Sequence, residues 1–346
     1  MKDQESPRAI DSFQPDRRRE TVEEAGTMHL QSSPQIVVVI PALNEEEGIG
    51  WVLDRTHEAL SRLGVPYHIV VVDGGSRDRT VEIARSWGAE VVMQNGRGYG
   101  DAYIQGFRHA IERYKPEIIV MLDADGTYDP AEAPKLIKPI MRGEADMVVG
   151  NRFAGLQPGA MTTLNKVGNR ILSWLARVMI GVNIKDTQSG YRAISRELLQ
   201  TIPLAQKGMP FATELIVEAY AHGYTIKEEP ITYKPRLGGQ PKLSPLRDGY
   251  RILNIIIKFA LQHNPVFFAF MMGALLLIPG LTLGIWVAYH YFFTGIKYYV
   301  KGLIALILTI AGFNSLLLAI LALYLKRMET RLFRIFKITF ARQEKR

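Results

Sequence analysis

Two stretches of this chain, Asn264–Ile296 and Gly302–Leu325, contain no Asp, Glu, Lys or Arg. No other feature restricts the fold as strongly. As helices, Val266–His290 and Gly302–Leu325 would each reach roughly 36 Å, enough for a hydrocarbon layer of about 30 Å with some tilt. Only about 11 residues join them, which predicts a helical hairpin with both outer ends on one side. The join carries Lys297 and Lys301, whereas residues 326–346 carry eight basic side chains against Glu329 and Glu344. That asymmetry predicts a cytoplasmic location for both termini and for everything before the hairpin. The other reading is a hairpin buried in the core of a soluble protein.

The 42 Lys and Arg residues exceed the 34 Asp and Glu residues by eight, and most of the excess sits in that tail. A nucleic-acid protein would spread its cations over a folded face with interleaved aromatics, so no nucleic-acid partner is predicted. A basic run beside an apolar segment suits a bilayer with anionic lipid. The chain has no Cys, which excludes disulfides, thiolate metal sites and a Cys nucleophile. Residues 1–34 mix charges with Ser, Gln and Pro and lack an apolar period, predicting a disordered or loosely attached arm and no cleaved signal peptide.

From Gln35 the pattern changes to short apolar runs alternating with helical stretches. Ile36–Ile40, Ile69–Val72, Val91–Met93, Ile118–Leu122 and Met147–Val149 are short and mostly β-branched, which predicts buried strands. Glu46–Arg62, Asp78–Trp87, Tyr99–Tyr114 and Ala131–Met141 have helical length and period. The alternation predicts an α/β fold, a mainly parallel sheet with helices on both faces. Leu164–Ile180 and Thr213–His222 read as further helices, Ile184–Ile194 as an extended or looping stretch, and Gly238–Pro245 as a Gly/Pro-rich mobile loop. In Leu246–His263 the polar residues Arg247, Arg251, Asn254, Lys258 and Gln262 fall on one helical face. An amphipathic helix just before a span suits the bilayer interface, and a soluble helix packed on the domain is the alternative. The predicted organisation is thus an arm (1–34), a catalytic domain (35–245), an interfacial helix (246–263), a membrane hairpin (264–326) and a basic tail (327–346).

Ligands of such sheets sit beyond the carboxyl ends of the strands. Three polar clusters fall there: Pro41–Glu46, Asp73–Asp78 and Asp123–Asp129. Asp123 and Asp125 are two positions apart, so they share a side of the chain where it leaves a strand. Such a carboxylate pair suits Mg²⁺ or Mn²⁺ bridging to nucleotide phosphates; alternatively, the two residues cap the following turn. The first turn is acidic rather than glycine-rich, which argues against a dinucleotide-binding dehydrogenase, and there is no phosphate loop of the GxxxxGK[ST] type. The run Gly96-Arg97-Gly98-Tyr99-Gly100 reads equally as a phosphate cradle or a flexible turn.

PALNEEEGI, VVDGGSRDRT, NGRGYGDAYIQGF, MLDADGTYDP, VVGNRF and DTQSGYRA occur in this order. In that order the chain resembles the GT-A family 2 glycosyltransferases, and within them the polyprenyl- or dolichyl-phosphate hexosyltransferases. The likeness covers about residues 35–250, and some members also carry a C-terminal hairpin. It implies a Rossmann-like GT-A domain and a set of roles. Pro41, Leu43, Glu45 and Asp73 would hold the nucleoside, and Ala124 would touch it through its backbone. Asp123 and Asp125 would bind the metal, and Arg152 would sit at the transferred phosphate or sugar as a catalytic group with Asp125. Arg236 and Lys242 would close over the donor diphosphate and the lipid phosphate. Arg170 and Ser173 would receive the acceptor phosphate, with Lys166 a rival register. Thr127 stands where some relatives carry a Gln metal ligand, so a third protein ligand stays open.

A lipid monophosphate has a second pKa near 6 and is largely dianionic at pH 7, so it can attack a sugar carbon without a strong base. The resemblance then implies metal-dependent, inverting hexosyl transfer at the cytoplasmic face, with GDP-mannose as the first donor to consider and UDP-glucose or another UDP-hexose as the alternative. A polysaccharide synthase of the same superfamily would carry QxxRW, and none of the four Trp residues lies in that context. A non-catalytic membrane scaffold or nucleotide-sugar sensor would not need both aspartates and both loop cations. Transfer to a protein or soluble sugar is the remaining reading. Asn314 and Ser315, mid-span, can bond either another copy's helix or the other arm of the hairpin, so the sequence allows an oligomer.

Overall fold

The computed structural model describes residues 35–238 and 245–343. The arm 1–34 and residues 239–244, and with them Lys242, lie outside the described residues. The chain forms two compact units that divide between Ile255 and Ile256.

The first unit runs β1 (Ile36–Ala42), α1 (Ile49–Ser61), β2 (Tyr67–Asp73), α2 (Thr80–Ser86), β3 (Glu90–Met93), α3 (Tyr99–Tyr114), β4 (Ile118–Met121), α4 (Ala133–Met141), β5 (Met147–Leu156), α5 (Thr163–Ile180), β6 (Arg192–Ser195), α6 (Arg196–Thr201), α7 (Phe211–Ala221) and β7 (Ile226–Tyr233). The seven strands form one sheet in the order β3-β2-β1-β4-β6-β5-β7. Every pairing is parallel except those of β6, which is antiparallel to β4 and β5. The mainly parallel sheet expected from the apolar runs is present.

Strand alternation divides the core. Ile36, Val38 and Ile40 pack in one cluster with Val52, Leu53 and Leu60 of α1 and Leu136 and Ile137 of α4. Val39 and Val72 face the other way, toward α3. There Gly106 lets the helix backbone approach, since a Cβ on it would fall 2.4 Å from Val39 Cγ1 and 2.9 Å from Val72 Cγ2. A sheet covered on both faces needs strands apolar on both faces, which is why IVVVI is buried throughout.

The reversal of β6 matters for the site. Arg192, its first residue, pairs with Met121 near the end of β4 and with Val149 of β5. The loop entering β6 therefore arrives at the carboxyl edge, where parallel strands deliver their following loops.

Helix α8 (Pro245–His263) crosses the division between the units. Its stripe of Arg247, Arg251, Asn254, Lys258 and Gln262 is exposed, and Ile252, Ile256, Phe259 and Ala260 are buried.

The second unit is dominated by α9 (Pro265–Tyr289), which continues through a π-helical turn at His290–Thr294, and α10 (Tyr299–Gln343). Val266–Thr294 and Tyr299–Leu325 are long and apolar enough to cross a membrane, and only 17% of each apolar window is buried within the protein. Close approaches at Gly273/Leu316, Gly280/Thr309 and Gly284/Ala305 step in opposite directions along the two helices, so they form an antiparallel hairpin. Ser315 Oγ donates to Ala269 O at 2.9 Å, an intra-hairpin bond, while Asn314 is exposed. The segment expected as a separate tail after residue 326 continues α10 as far as Gln343.

Small residues let these helices touch backbone to backbone. A Cβ on Gly312 would lie 2.5 Å from Leu277 N. Gly312→Leu is expected to wedge the hairpin apart and destabilise it by about 1–3 kcal/mol. A lower thermal midpoint of the detergent-solubilised protein would register it; an unchanged midpoint would show that the helices do not pack this closely.

Candidate active site

The carboxyl edge of the sheet gathers loops from β1, β2, β4 and β7. After β1, Asn44 adopts a left-handed conformation with φ 51°. It is held by the β2 loop: Asn44 N donates to Ser76 Oγ at 2.9 Å, and its Oδ1 accepts from Arg77 N at 2.8 Å. Pro41 is partly covered, Leu43 is 38% exposed and Glu45 is buried, its N–H donating to Thr80 Oγ1 at 2.8 Å. Asp73 is buried beneath its own loop. Its Oδ2 accepts from Gly75 N and Ser76 N at 2.9 and 3.0 Å, and its Oδ1 from Ser76 Oγ. Asp73 thus shapes the turn after β2, against which the Asn44 loop rests, and both of its oxygens face that turn.

Past β4, Asp123, the buried Ala124 and Asp125 lie at the centre of the edge. Thr127 holds Asp125, its N–H and Oγ1 donating to Oδ1 at 3.0 and 2.7 Å. The Thr127 hydroxyl therefore positions a carboxylate. Asp123 Oδ1 accepts from the phenols of Tyr99 and Tyr103, each at 3.0 Å. Burial, then the charge of Asp125, push Asp123 up to about 7 against the pull of those phenols and of Arg152. Burial and the Asp123 charge hold both phenols well above their ordinary value, so they remain donors.

The segment after β7 closes one side. Lys234 N donates to Thr127 O at 2.8 Å and Leu237 N to Asp125 O at 3.2 Å, which runs residues 234–237 along the Asp123–Thr127 loop. Arg236 then bridges two clusters, with Nη2 bonded to Glu45 Oε1 and Nη1 3.4 Å from Asp125 Oδ2. Burial alone would lower this guanidinium, but Glu45 and Asp125 outweigh it and raise Arg236 above its ordinary value. Glu45, Asp125 and Arg236, distant in sequence, are thus brought into one place.

Arg152 is buried and already paired. Its Nε and Nη2 donate to Asp186 Oδ2 and Oδ1 at 2.7 and 2.8 Å, and its backbone N–H donates to the same carboxylate. It stacks over the Tyr233 ring at 5.4 Å. The structure gives it the character of a buried ion pair supporting the edge, with its fork closed on Asp186 rather than open to a phosphate. Ser173 is likewise turned inward: buried, it accepts from Thr187 N at 3.1 Å and shares a hydroxyl bond with Thr187 at 3.0 Å. The Ser173 hydroxyl, expected at the acceptor phosphate, faces the loop before β6.

Arg170 lies apart from the Glu45–Arg236–Asp125 contact. It stacks over Phe153 at 5.4 Å and lines a cavity of about 450 Å³ with Asn151, Trp174, Arg177 and Lys185. Three cations and two aromatic rings therefore share one open hollow beside the end of β5.

The Glycosyl transferase family 2 domain matches residues 37–202. Across 255 residues the chain is 40% identical to the low-salt glycan biosynthesis hexosyltransferase Agl6 of Haloferax volcanii, covering 73% of this chain and 58% of that protein. It is 35% identical over 290 residues to the glycosyltransferase AglJ of the same organism, covering 83% and 92%. It is also 37% identical to that organism's dolichyl-phosphate hexose transferase over 66% of this chain and 95% of the relative. The chain is a family 2 glycosyltransferase. Its fold is shared with the glucosyl-3-phosphoglycerate synthase of Mycobacterium tuberculosis, solved with Mn²⁺ and UDP-glucose, at TM-score 0.54 and 22% identity over 72% of this chain and 85% of that one.

The residues of this glycosyltransferase fit the divalent cation that the fold family implies. Each aspartate has Oδ1 tied, Asp125 by Thr127 of its own loop and Asp123 by the Tyr99 and Tyr103 phenols, and among the described residues neither Oδ2 takes a hydrogen bond. Asp125 Oδ2 meets only the Arg236 charge, a cation already drawn to this spot. Among the described residues no larger group of His, Cys, Asp or Glu forms a metal site. A hard cation held by two carboxylates keeps positions for phosphate oxygens.

Several residues of the site carry no role in the sequence reading. Tyr99 and Tyr103 sit at i,i+4 on α3, a spacing that does place them on one face. Asp186 and Gly190 lie inside the DTQSG motif, and Arg177 follows Arg170 by two helical turns. Arg192, fully buried, donates to the carbonyls of Ser189, Ala212 and Thr187 at 2.8, 2.7 and 3.0 Å and so shapes the loop before β6. Burial pulls it down to about 10.

Proposed function

We propose that this glycosyltransferase transfers a hexose from a nucleotide sugar to a polyprenyl or dolichyl phosphate at a membrane surface, with inversion at the sugar carbon. The observation that carries the reading is the Glu45–Arg236–Asp125 contact. It draws the loops after β1 and β4 and a cation after β7 together at the sheet edge.

Asp123 and Asp125 would hold Mg²⁺ or Mn²⁺ through their untied oxygens, and the ion would neutralise the departing nucleoside diphosphate. Pro41, Leu43 and Glu45 would form the nucleoside side, on the β1 loop that meets the Asp73-braced turn through Asn44, Ser76 and Arg77. Arg236 adds positive charge beside Asp125, where a diphosphate would otherwise meet only carboxylates. Arg170, Arg177 and Lys185 supply a cationic hollow for the acceptor phosphate, which attacks as a dianion and needs no strong base. Lys242, six residues after Arg236 in the sequence, would add charge over the phosphates.

The membrane part of the reading has two supports. The hairpin presents apolar surface of bilayer length. In addition, α5 exposes Leu164, Val167, Ile171, Trp174 and Val178 at helical spacing beside the cationic hollow. An exposed apolar stripe flanked by cations and a Trp suits a lipid interface. With α8 as a second helix next to the hairpin, the catalytic unit and both termini would lie on the cytoplasmic side, as the basic excess predicts.

The test is incubation of the full chain in membranes with Mg²⁺ or Mn²⁺ and a panel of radiolabelled nucleotide sugars. Label should enter the lipid extract, with GDP-mannose the first donor and UDP-glucose the second. Label confined to protein or soluble sugar would overturn the lipid acceptor. No turnover with any donor would favour a scaffold or sensor.

A further inference from the structure

The chemistry proposed above makes no use of two phenols that converge on one of its carboxylates. Tyr99 and Tyr103 stand four residues apart on α3 and donate to the same atom, Asp123 Oδ1. Their rings meet edge to face with centroids 5.0 Å apart. Tyr103 has no exposed surface and stacks on Phe211 at 5.8 Å, so the inner phenol is fixed from behind. The outer one is roofed by Gly190: a Cβ there would fall 2.5 Å from Tyr99 Oη and 2.8 Å from Asp123 Oδ2. Only glycine leaves both atoms their space.

This arrangement has a counterpart on the other aspartate. Thr127 ties Oδ1 of Asp125 with two donors from its own loop. Asp123 has no such local donor, and the two bonds come instead from α3, the helix that precedes β4. In both cases one oxygen is fully engaged and the other is presented.

We propose that Tyr99 and Tyr103 are positioning residues for the divalent cation: by occupying Oδ1 they fix the rotation of the Asp123 carboxylate so that Oδ2 is presented as a ligand. The inference rests on the metal reading above. Ligands that are oriented by outer hydrogen bonds bind metal more tightly, and loss of such a bond typically weakens affinity about 10- to 100-fold. Two donors on one oxygen leave the carboxylate a single orientation, whereas a carboxylate with none would have to be ordered by the ion itself.

The test measures Mn²⁺ binding, not turnover. Full-length protein in detergent is titrated with Mn²⁺ in the presence of GDP or UDP, and free Mn²⁺ is followed by electron paramagnetic resonance. Tyr99→Phe and Tyr103→Phe each keep the ring and its packing and remove one donor. Each is expected to weaken Mn²⁺ binding by about 10-fold, and the double variant by more, with little change in the metal-free thermal midpoint. A merely structural phenol would lower the midpoint and leave affinity alone, which would overturn the proposal. If the double variant fails to fold, Tyr99→Phe, at the less buried position, decides the matter alone. Asp125→Asn separates the two readings. Unchanged Mn²⁺ binding in that variant overturns the metal site itself. Loss of binding there, with wild-type affinity in both Tyr variants, overturns only the clamp.

Discussion

Asp125→Ala should reduce hexosyl transfer by about 10³-fold, the largest effect expected of any single change at the edge. Thr127, Arg236 and Leu237 all converge on this residue. Its Oδ1 takes both Thr127 bonds, its Oδ2 lies 3.4 Å from Arg236, and its backbone carbonyl receives Leu237 N. On the proposed function, removing the carboxylate would take away a metal ligand and one of the two acids that hold Arg236, so the charge that should accept the diphosphate would be misplaced as well. Asp125→Asn refines the experiment, because its amide oxygen can still accept from Thr127 while the negative charge is gone. Both variants should keep the thermal midpoint within a few degrees and lose label in the lipid extract. Substantial turnover in Asp125→Asn would show that the negative charge is not needed.

The second large effect is on stability. Asp186→Ala would leave the Arg152 guanidinium buried with no carboxylate, and breaking such a pair from one side costs about 3–5 kcal/mol. The loss is greater than that of a surface pair because Arg152 is 6% exposed and water cannot replace both lost bonds. The double change Arg152→Met with Asp186→Leu is expected to recover much of the stability, since two apolar side chains need no partner. Thermal unfolding of the full chain in detergent measures both. A drop of less than about 1 kcal/mol in Asp186→Ala would mean that the guanidinium finds other partners or solvent. Activity in the stable double variant then reports whether Arg152 contributes to transfer beyond holding the edge.

The elements that organise this molecule are visible in the sequence where burial is symmetrical. IVVVI, IVVV and IIVML are apolar on both faces because helices cover both faces. The edge strand β7 is far less visible. IKEEPITY carries charges and a Pro because one side of it has no strand neighbour, so its pattern is not that of a buried strand. The reversal of β6 has no local signal at all; four residues, RAIS, pair equally well in either direction, and only tertiary packing decides.

The site divides in a similar way. Asp123 and Asp125 stand out in the sequence as a carboxylate pair at a strand end, whereas Glu45 and Arg236 are singled out by the resemblance. Arg152 and Ser173 were legible as residues but not in their orientation. Whether a side chain faces the open edge or the loop behind it depends on Asp186 and Thr187, some 14 to 34 residues away. Tyr99 and Tyr103 look like ordinary core aromatics until the helix that carries them is placed against β4.

The guanidinium of Arg192 has a consequence for how this pocket responds to its surroundings. It ties residues 187 and 189 to Ala212 of α7 through three carbonyl dipoles, with no hydrogen bond to an acid. Carbonyls do not titrate, so the wall behind Gly190 should keep its shape in mild acid and in concentrated salt. The opposite wall is made differently: Arg236 is held there by Glu45 and Asp125, and protonation or screening weakens such attractions. One side of the cleft is thus a fixed template, and the other is a charge balance that arriving ions can reset.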